Sequence, residues 1–243
     1  MSDSHAWTFT QAPEIRLKKS KGSFIWTDKN VKLFDMTAGG THFAILGHAN
    51  EFISEALKKS IDTYSHFDIK TLELEEVNQL SEIVCNFGHT KDKDYKLYMS
   101  GCNGADAIEA AIRLSFQQHW LNGNSSKKWV ISRQQSYHGM SADALSISDR
   151  ENLNWHKTTL SQYRTLIPQH NPSYARYQGQ SNEQYLRESV HNLEEKIEEV
   201  GAQNIACFVG ETILGGLIGD VPPLKGYWAA IKKLCDRNNI HLI

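Results

Sequence analysis

The chain has 243 residues, 40% of them hydrophobic and 22% charged, with a formal net charge of −2. These are the proportions of a soluble globular protein long enough to bury a sizeable core. The charge balance, with a pI of about 6.6, gives no electrostatic case for nucleic acid or an anionic membrane as a partner.

No apolar run approaches the ~20 residues of a membrane helix. The start, Met1 to His5, has neither the basic nor the apolar region of a signal peptide. The four cysteines Cys85, Cys102, Cys207 and Cys235 are scattered and form no C-x-x-C pair. They read as free thiols of a reducing, cytoplasmic compartment.

In chain order, residues 13–36 read as β-rich. Ser23–Trp26 and Val31–Asp35 form strands across the turn Thr27–Asn30. Glu51 to Tyr64 reads as an amphipathic helix with Ile53, Ala56, Leu57 and Ile61 on one face, and a second helix follows from about Thr71 to Phe87. Lys96–Met99 reads as a strand end, Ser100–Gly104 as a small-residue turn, and the run through Leu114 as a helix.

Lys128–Ser132 is a short buried strand, followed by the loop Gln134–Met140. Ala142–Ile147 is ambiguous between helix and strand, and residues 149–182 read as a long polar surface loop. Glu183–Val200 is a helix, Ala206–Val209 a buried strand, Tyr227–Asn238 a helix, and Ile240 starts another strand. This last run stops at Ile243 without a polar tail, the pattern expected of a chain cut inside a strand.

Alternation of this kind predicts an α/β fold with a mainly parallel sheet and flanking helices. Ligands of such sheets sit beyond the carboxyl ends of the strands. Three loops are placed there: Ser100–Asp106, Gln134–Gly139 and Glu211–Gly219. The first is a strand, a tight turn and a helix start, where unpaired N–H groups and the helix dipole favour an anion. Gly104 and Ala105 leave room for it. The sequence lacks the Lys-[Ser/Thr] of a P-loop and does not match G-x-G-x-x-G, so a small phosphorylated cofactor suits it better than a nucleotide. An ordinary connection capped by Asn103 or Asp106 is the competing reading.

In the second loop, Tyr137 can stack on a planar ring, and His138 can act as an acid or base near neutral pH; both can equally be packing residues. Glu211 can orient a cofactor, pair with an arginine, or accept from backbone N–H groups of its own loop. The spacings of metal sites and of serine hydrolases are absent from the sequence.

Together these segments resemble class III pyridoxal-phosphate aminotransferases. Ser100–Ala111 is similar to the family's phosphate loop, and Ile131–Gly139 to its cofactor-stacking segment. Val209–Glu211 through Tyr227 is similar to its glutamate loop, and Phe34–Asp35 through His48 to its N-terminal segment. The resemblance implies a fold type I transferase. Residues 1–60 would contribute to a small domain, and 61–243 would form an incomplete large cofactor-binding domain.

It further implies pyridoxal 5'-phosphate as cofactor. Gly104 and Ala105 would donate N–H groups to its phosphate, and Tyr137 would stack on its ring with support from His138 and Gly139. Glu211 would lie near the pocket, and Gly39, Gly40 and Thr41 would line the substrate side. The implied reaction moves an amino group from an amine or ω-amino acid to a 2-oxo acid, pyruvate or 2-oxoglutarate, in a homodimer. Alternatives are an aminomutase or decarboxylase-like relative, or a non-catalytic phosphate-binding or dimerising module.

There are departures. Thr212 stands where the family usually has proline after the glutamate, and the glycine-rich loop Gly215–Gly219 has a less common form. The family's aspartate for the pyridine nitrogen and its cofactor-bonding lysine come later than Ile243. The resemblance therefore implies that these 243 residues are inactive alone.

Overall fold

The computed structural model describes residues 15–40, 42–64, 71–87, 95–99, 101–150, 162–215 and 218–243. Ser100, Thr41, residues 151–161 of the expected long loop, and Gly216 and Leu217 of the glycine-rich loop lie outside the described residues. The chain divides into two compact units, Met1–Tyr95 and Lys96–Ile243.

The first unit holds an antiparallel meander of β1 (Leu17–Lys21), β2 (Phe24–Thr27) and β3 (Lys32–Phe34). Phe24 and Phe34 pair across the strands at 5.3 Å between ring centroids, with the Lys32 ammonium 3.8 Å from the Phe24 centroid.

The chain leaves β3 through a turn organised by Asp35. One carboxylate oxygen accepts from the Thr37 N–H and hydroxyl at 2.9 and 2.8 Å. The other accepts from the Gly39 N–H and lies against His48 Nε2, both at 2.7 Å. These bonds, His48 first, hold the Asp35 carboxyl below the ordinary carboxylate range. Two helices complete the unit, α1 (Glu51–Thr63), capped by the Asn50 side chain, and α2 (Glu75–Cys85). Leu57 and Ile61 of the expected apolar face are exposed.

The second unit is a parallel sheet between helices. Its elements are α3 (Gly104–Leu121), β4 (Trp129–Arg133), α4 (Ala142–Ser146), β5 (Arg164–Ile167), α5 (Pro172–Tyr177), α6 (Asn182–Val200), β6 (Ile205–Phe208), α7 (Tyr227–Arg237) and β7 (His241–Leu242). The strands run in the order β5-β4-β6-β7, all parallel. Side-chain alternation divides the core. Ile131 joins Leu193, Ile197, Tyr227 and Ile231 on the α6–α7 face, whereas Val130 joins Ile112, Ala206 and Cys207 on the α3 face.

Two expectations change. Lys96–Met99 is not a strand: it has no ladder partner among the described residues, and an apolar run without one remains irregular. The expected long loop contains β5 and α5. As an edge strand β5 is largely half-buried, so its sequence carries polar residues and lacks an apolar run. Asn171 caps α5, with Pro172 in its first turn. The ambiguous segment at 142–147 is the short helix α4.

Lys127 ties the α3–β4 connection to its neighbours. It is 6% exposed, and its ammonium donates to the carbonyls of Ala202 and Ile205, each at 2.8 Å, and of Asn238 at 3.4 Å. Burial pushes its pKa down. Nearby, buried His119 donates from Nε2 to the Ala206 carbonyl at 2.9 Å and stacks on His241 at 4.1 Å.

Lys127→Met is expected to lower stability by about 2–4 kcal/mol in urea unfolding, because it strands buried carbonyls; an unchanged midpoint would contradict this role. Burial also pushes His119 and His241 down, so the folded state keeps both neutral where the unfolded chain takes up protons. Stability is therefore complete above about pH 6.5 and falls as the pH drops below it. A pH series of thermal melts checks this, with His119→Gln expected to flatten the acid limb.

Candidate functional site

The site is built where β4 and β6 end and α3 begins. Asn103 caps α3, its side chain accepting from the Asp106 N–H at 3.0 Å. The Asp106 carboxylate folds back to accept from the Cys102 N–H and Asn103 Nδ2, both at 3.1 Å. Among the described residues, the N–H groups of Gly104 and Ala105 have no hydrogen-bond partner. A Cβ placed on Gly104 would meet nothing within 4 Å. The first turn of an 18-residue helix thus offers two donors that are free among the described residues, beneath open space at Gly104.

The loop after β4 docks on this turn. Ser136 is buried and donates to the Arg133 carbonyl at 2.6 Å, and the His138 N–H donates to Ser148 Oγ at 2.9 Å. Gly139 has φ +135°, and a Cβ there would lie 2.6 Å from the Ala105 Cβ and 3.1 Å from the Ala144 Cβ. Only glycine permits both this backbone conformation and this approach. Tyr137 is left 39% exposed, and the Arg150 guanidinium lies 4.9 Å from its ring centroid.

Glu211, just after β6, joins the same loop. Its Oε1 accepts from the Tyr137 N–H at 3.3 Å. Arg133, the last residue of β4, donates from Nη2 to the Glu211 carbonyl at 2.5 Å and lies 3.8 Å from Oε2. Burial raises the Glu211 pKa, and the N–H groups of Tyr137 and Gly215 and the charge of Arg133 oppose that rise. The pairing with an arginine and the acceptance of backbone N–H groups, alternatives in the sequence, therefore both occur.

All six residues anticipated for the cofactor lie on this set of loops: Gly104, Ala105, Tyr137, His138, Gly139 and Glu211. Direct contacts link Ala105 to Gly139 and Tyr137 to Glu211. One chemical expectation is corrected. His138 is buried, and burial followed by the charge of Arg133 lowers its pKa to about 4. It is neutral at physiological pH and is not poised as an acid or base there.

Gly39 and Gly40 belong to the Asp35 turn of the first unit, with φ of +84° and +83°; Thr41 lies outside the described residues. A cavity of about 870 Å³ opens elsewhere in the second unit, between Gln134, Gln169, Asn171 and Tyr185. None of the six anticipated residues lines it.

Sequence reasoning passed over Arg133 and Arg150. The signal for Arg133 was available: a cation closing an apolar strand must find partners if the strand is buried. Arg150 carries no such signal, because only the fold brings it to Tyr137.

Gly139→Ala is expected to push the β4 loop off α3 and to cost about 2–4 kcal/mol, since positive φ and steric overlap add. Chemical unfolding measures the loss, and a stability within about 0.5 kcal/mol of the original would contradict the close approach.

The class III aminotransferase family model matches residues 8–243. An aminotransferase of Gibberella zeae is 30% identical over 220 residues, which are 88% of this chain and 42% of that protein. The adenosylmethionine-8-amino-7-oxononanoate aminotransferase of Helicobacter pylori is 26% identical across 95% of this chain and 49% of its own. The PLP-bound amine transaminase of an uncultivated Pseudomonas species has the same fold, with a TM-score of 0.85 at 22% identity over 99% of this chain and 55% of that one. The chain thus spans about half the length of the relatives it matches. With the family model covering it from residue 8 to Ile243, the chain belongs to the class III aminotransferases, and its fold is theirs.

Proposed function

We propose that the chain is the cofactor-gripping part of a pyridoxal-phosphate-dependent transaminase. The supporting observation is a convergence. Two free N–H groups at the start of α3 lie beside Gly139, on the loop that carries Tyr137, and that loop is bonded to Glu211. This donor set fits a phosphate, and an exposed aromatic ring beside it fits a pyridine.

Gly104 and Ala105 would hold the phosphate, with the Arg150 guanidinium adding positive charge nearby. Tyr137 would stack on the ring. Neutral His138 and Gly139 hold the Tyr137 loop against α3 and α4, and Glu211 anchors it through the Tyr137 N–H. When bound, pyridoxal phosphate supplies the carbonyl that takes up an amino group and the electron sink for its transfer.

The reaction this reading supports moves an amino group from an amine or ω-amino acid to a 2-oxo acid, pyruvate or 2-oxoglutarate. The amine transaminase among the structural neighbours supports an amine donor. The family resemblance alone supports the remainder of the reading. Residues 1–60 would belong to a small domain, and 61–243 to the large domain. The full-length protein would be a cytoplasmic homodimer.

Tyr137→Ala is expected to weaken pyridoxal phosphate binding by the full-length protein about tenfold, the equivalent of ~1.4 kcal/mol of lost stacking. Titration followed by cofactor absorbance measures it. Unchanged affinity would remove Tyr137 from the site.

A further inference from the structure

Arg133 is 1% exposed. A guanidinium stays charged at any accessible pH, so burying one is tolerated only with partners. The guanidinium carbon lies 5.2 Å from the Trp228 ring centroid. A Cβ added to Gly210 would come within 3.4 Å of that carbon and 2.8 Å of the indole, so the Gly210 backbone lies against both. Any side chain at 210 would displace the indole or the guanidinium. Trp228 is itself anchored by its Nε1, which donates to the Thr212 carbonyl at 3.2 Å. Arg133 and Trp228 together therefore hold the carbonyls of Glu211 and Thr212.

The charge of Arg133 has one natural counterpart. His138 and His170 both feel it, and burial first and Arg133 second lower each to about 4, so both are neutral. Tyr227 is pushed up by burial and keeps its proton. Among the described groups around Arg133, Glu211 is the one that can carry the opposite charge. Glu211 Oε2 is buried and makes no hydrogen bond, so the guanidinium 3.8 Å away is its compensation among the described residues. Facing the rest of the carboxylate are the N–H groups of Tyr137 and Gly215.

We propose that Arg133 is a positioning residue that acts through Glu211: packed against Gly210 and Trp228 and bonded to the Glu211 carbonyl, it sets the 210–212 turn and keeps the Glu211 side chain a carboxylate on the Tyr137 N–H. This deepens, and rests on, the reading of Tyr137 and Glu211 as cofactor-pocket residues. The arrangement needs a flat cation. An ammonium could restore the charge, but it could not stack on the indole while reaching the carbonyl.

The test is infrared difference spectroscopy of the full-length protein across pH, with Glu211→Gln identifying the protonated-carboxyl band of Glu211. In the unaltered protein that band is expected to be absent at pH 7 and to appear only on acidification. Arg133→Gln, which keeps a donor for the carbonyl but no charge, is expected to raise its midpoint by about one pH unit or more. Arg133→Lys is expected to restore most of that midpoint. Pyridoxal phosphate affinity, read by absorbance, is expected to fall severalfold in Arg133→Gln and in Glu211→Gln, with the double variant no weaker than either.

A Glu211 band already present at pH 7 in the unaltered protein overturns the proposal, whether or not any Arg133 variant folds. So does an unmoved midpoint in a folded Arg133→Gln protein. If Glu211→Gln leaves cofactor affinity unchanged while Arg133→Gln still moves the band, the coupling stands and the pocket reading of Glu211 fails.

Discussion

The parallel pairing of β4 with β6 is the constraint on which the second unit depends. Its register sets Val130 opposite Cys207 and Ile131 opposite Phe208. Residues nearly eighty positions apart in the chain are thereby brought to one edge of the sheet, where Arg133 meets Glu211. Each strand is buried on both faces, so its apolar run can be continuous. Slipping the register would exchange the side chains packed into the two core clusters and would also separate the two charges.

The edge so formed is held by charge as well as by packing. A buried guanidinium is costly unless its surroundings supply negative charge and acceptors. Here the Glu211 carbonyl accepts a hydrogen bond, the Glu211 carboxylate 3.8 Å away supplies the negative charge, and an indole and neutral rings pack nearby. The same cation helps to keep His138 and His170 neutral. This neutrality suits His170, whose Nδ1 lies 2.8 Å from Ser189 Oγ while Nε2 accepts from the Leu224 N–H at 3.2 Å. One charged side chain therefore adds to burial in setting the protonation of several groups beneath the loops that would face the cofactor.

Much of this was legible in the chain. The helix at 104 follows from its small-residue turn and apolar spacing, and the structure adds that Asn103 rather than Asp106 is the cap. The buried strands at 129 and 205 follow from short apolar runs. The edge strand β5 was not legible: half-exposed strands carry polar residues, and its flanks of Gln, Asn and Tyr resemble a loop. The apolar run at 96–99 misled for the opposite reason, since hydrophobicity alone does not supply a ladder partner.

The sequence by itself determined the class of the fold and the chemistry available to it: alternating helices and strands, an anion-favouring helix start, an aromatic loop and a carboxylate after a strand. These are local properties of residue type and spacing. Tertiary structure alone decided which of them meet. That Gly139 lies on Ala105, that Glu211 holds the Tyr137 N–H, and that His138 is neutral all depend on strand order and burial. A pKa and a close approach are set by neighbours distant in sequence, and local spacing carries no record of them.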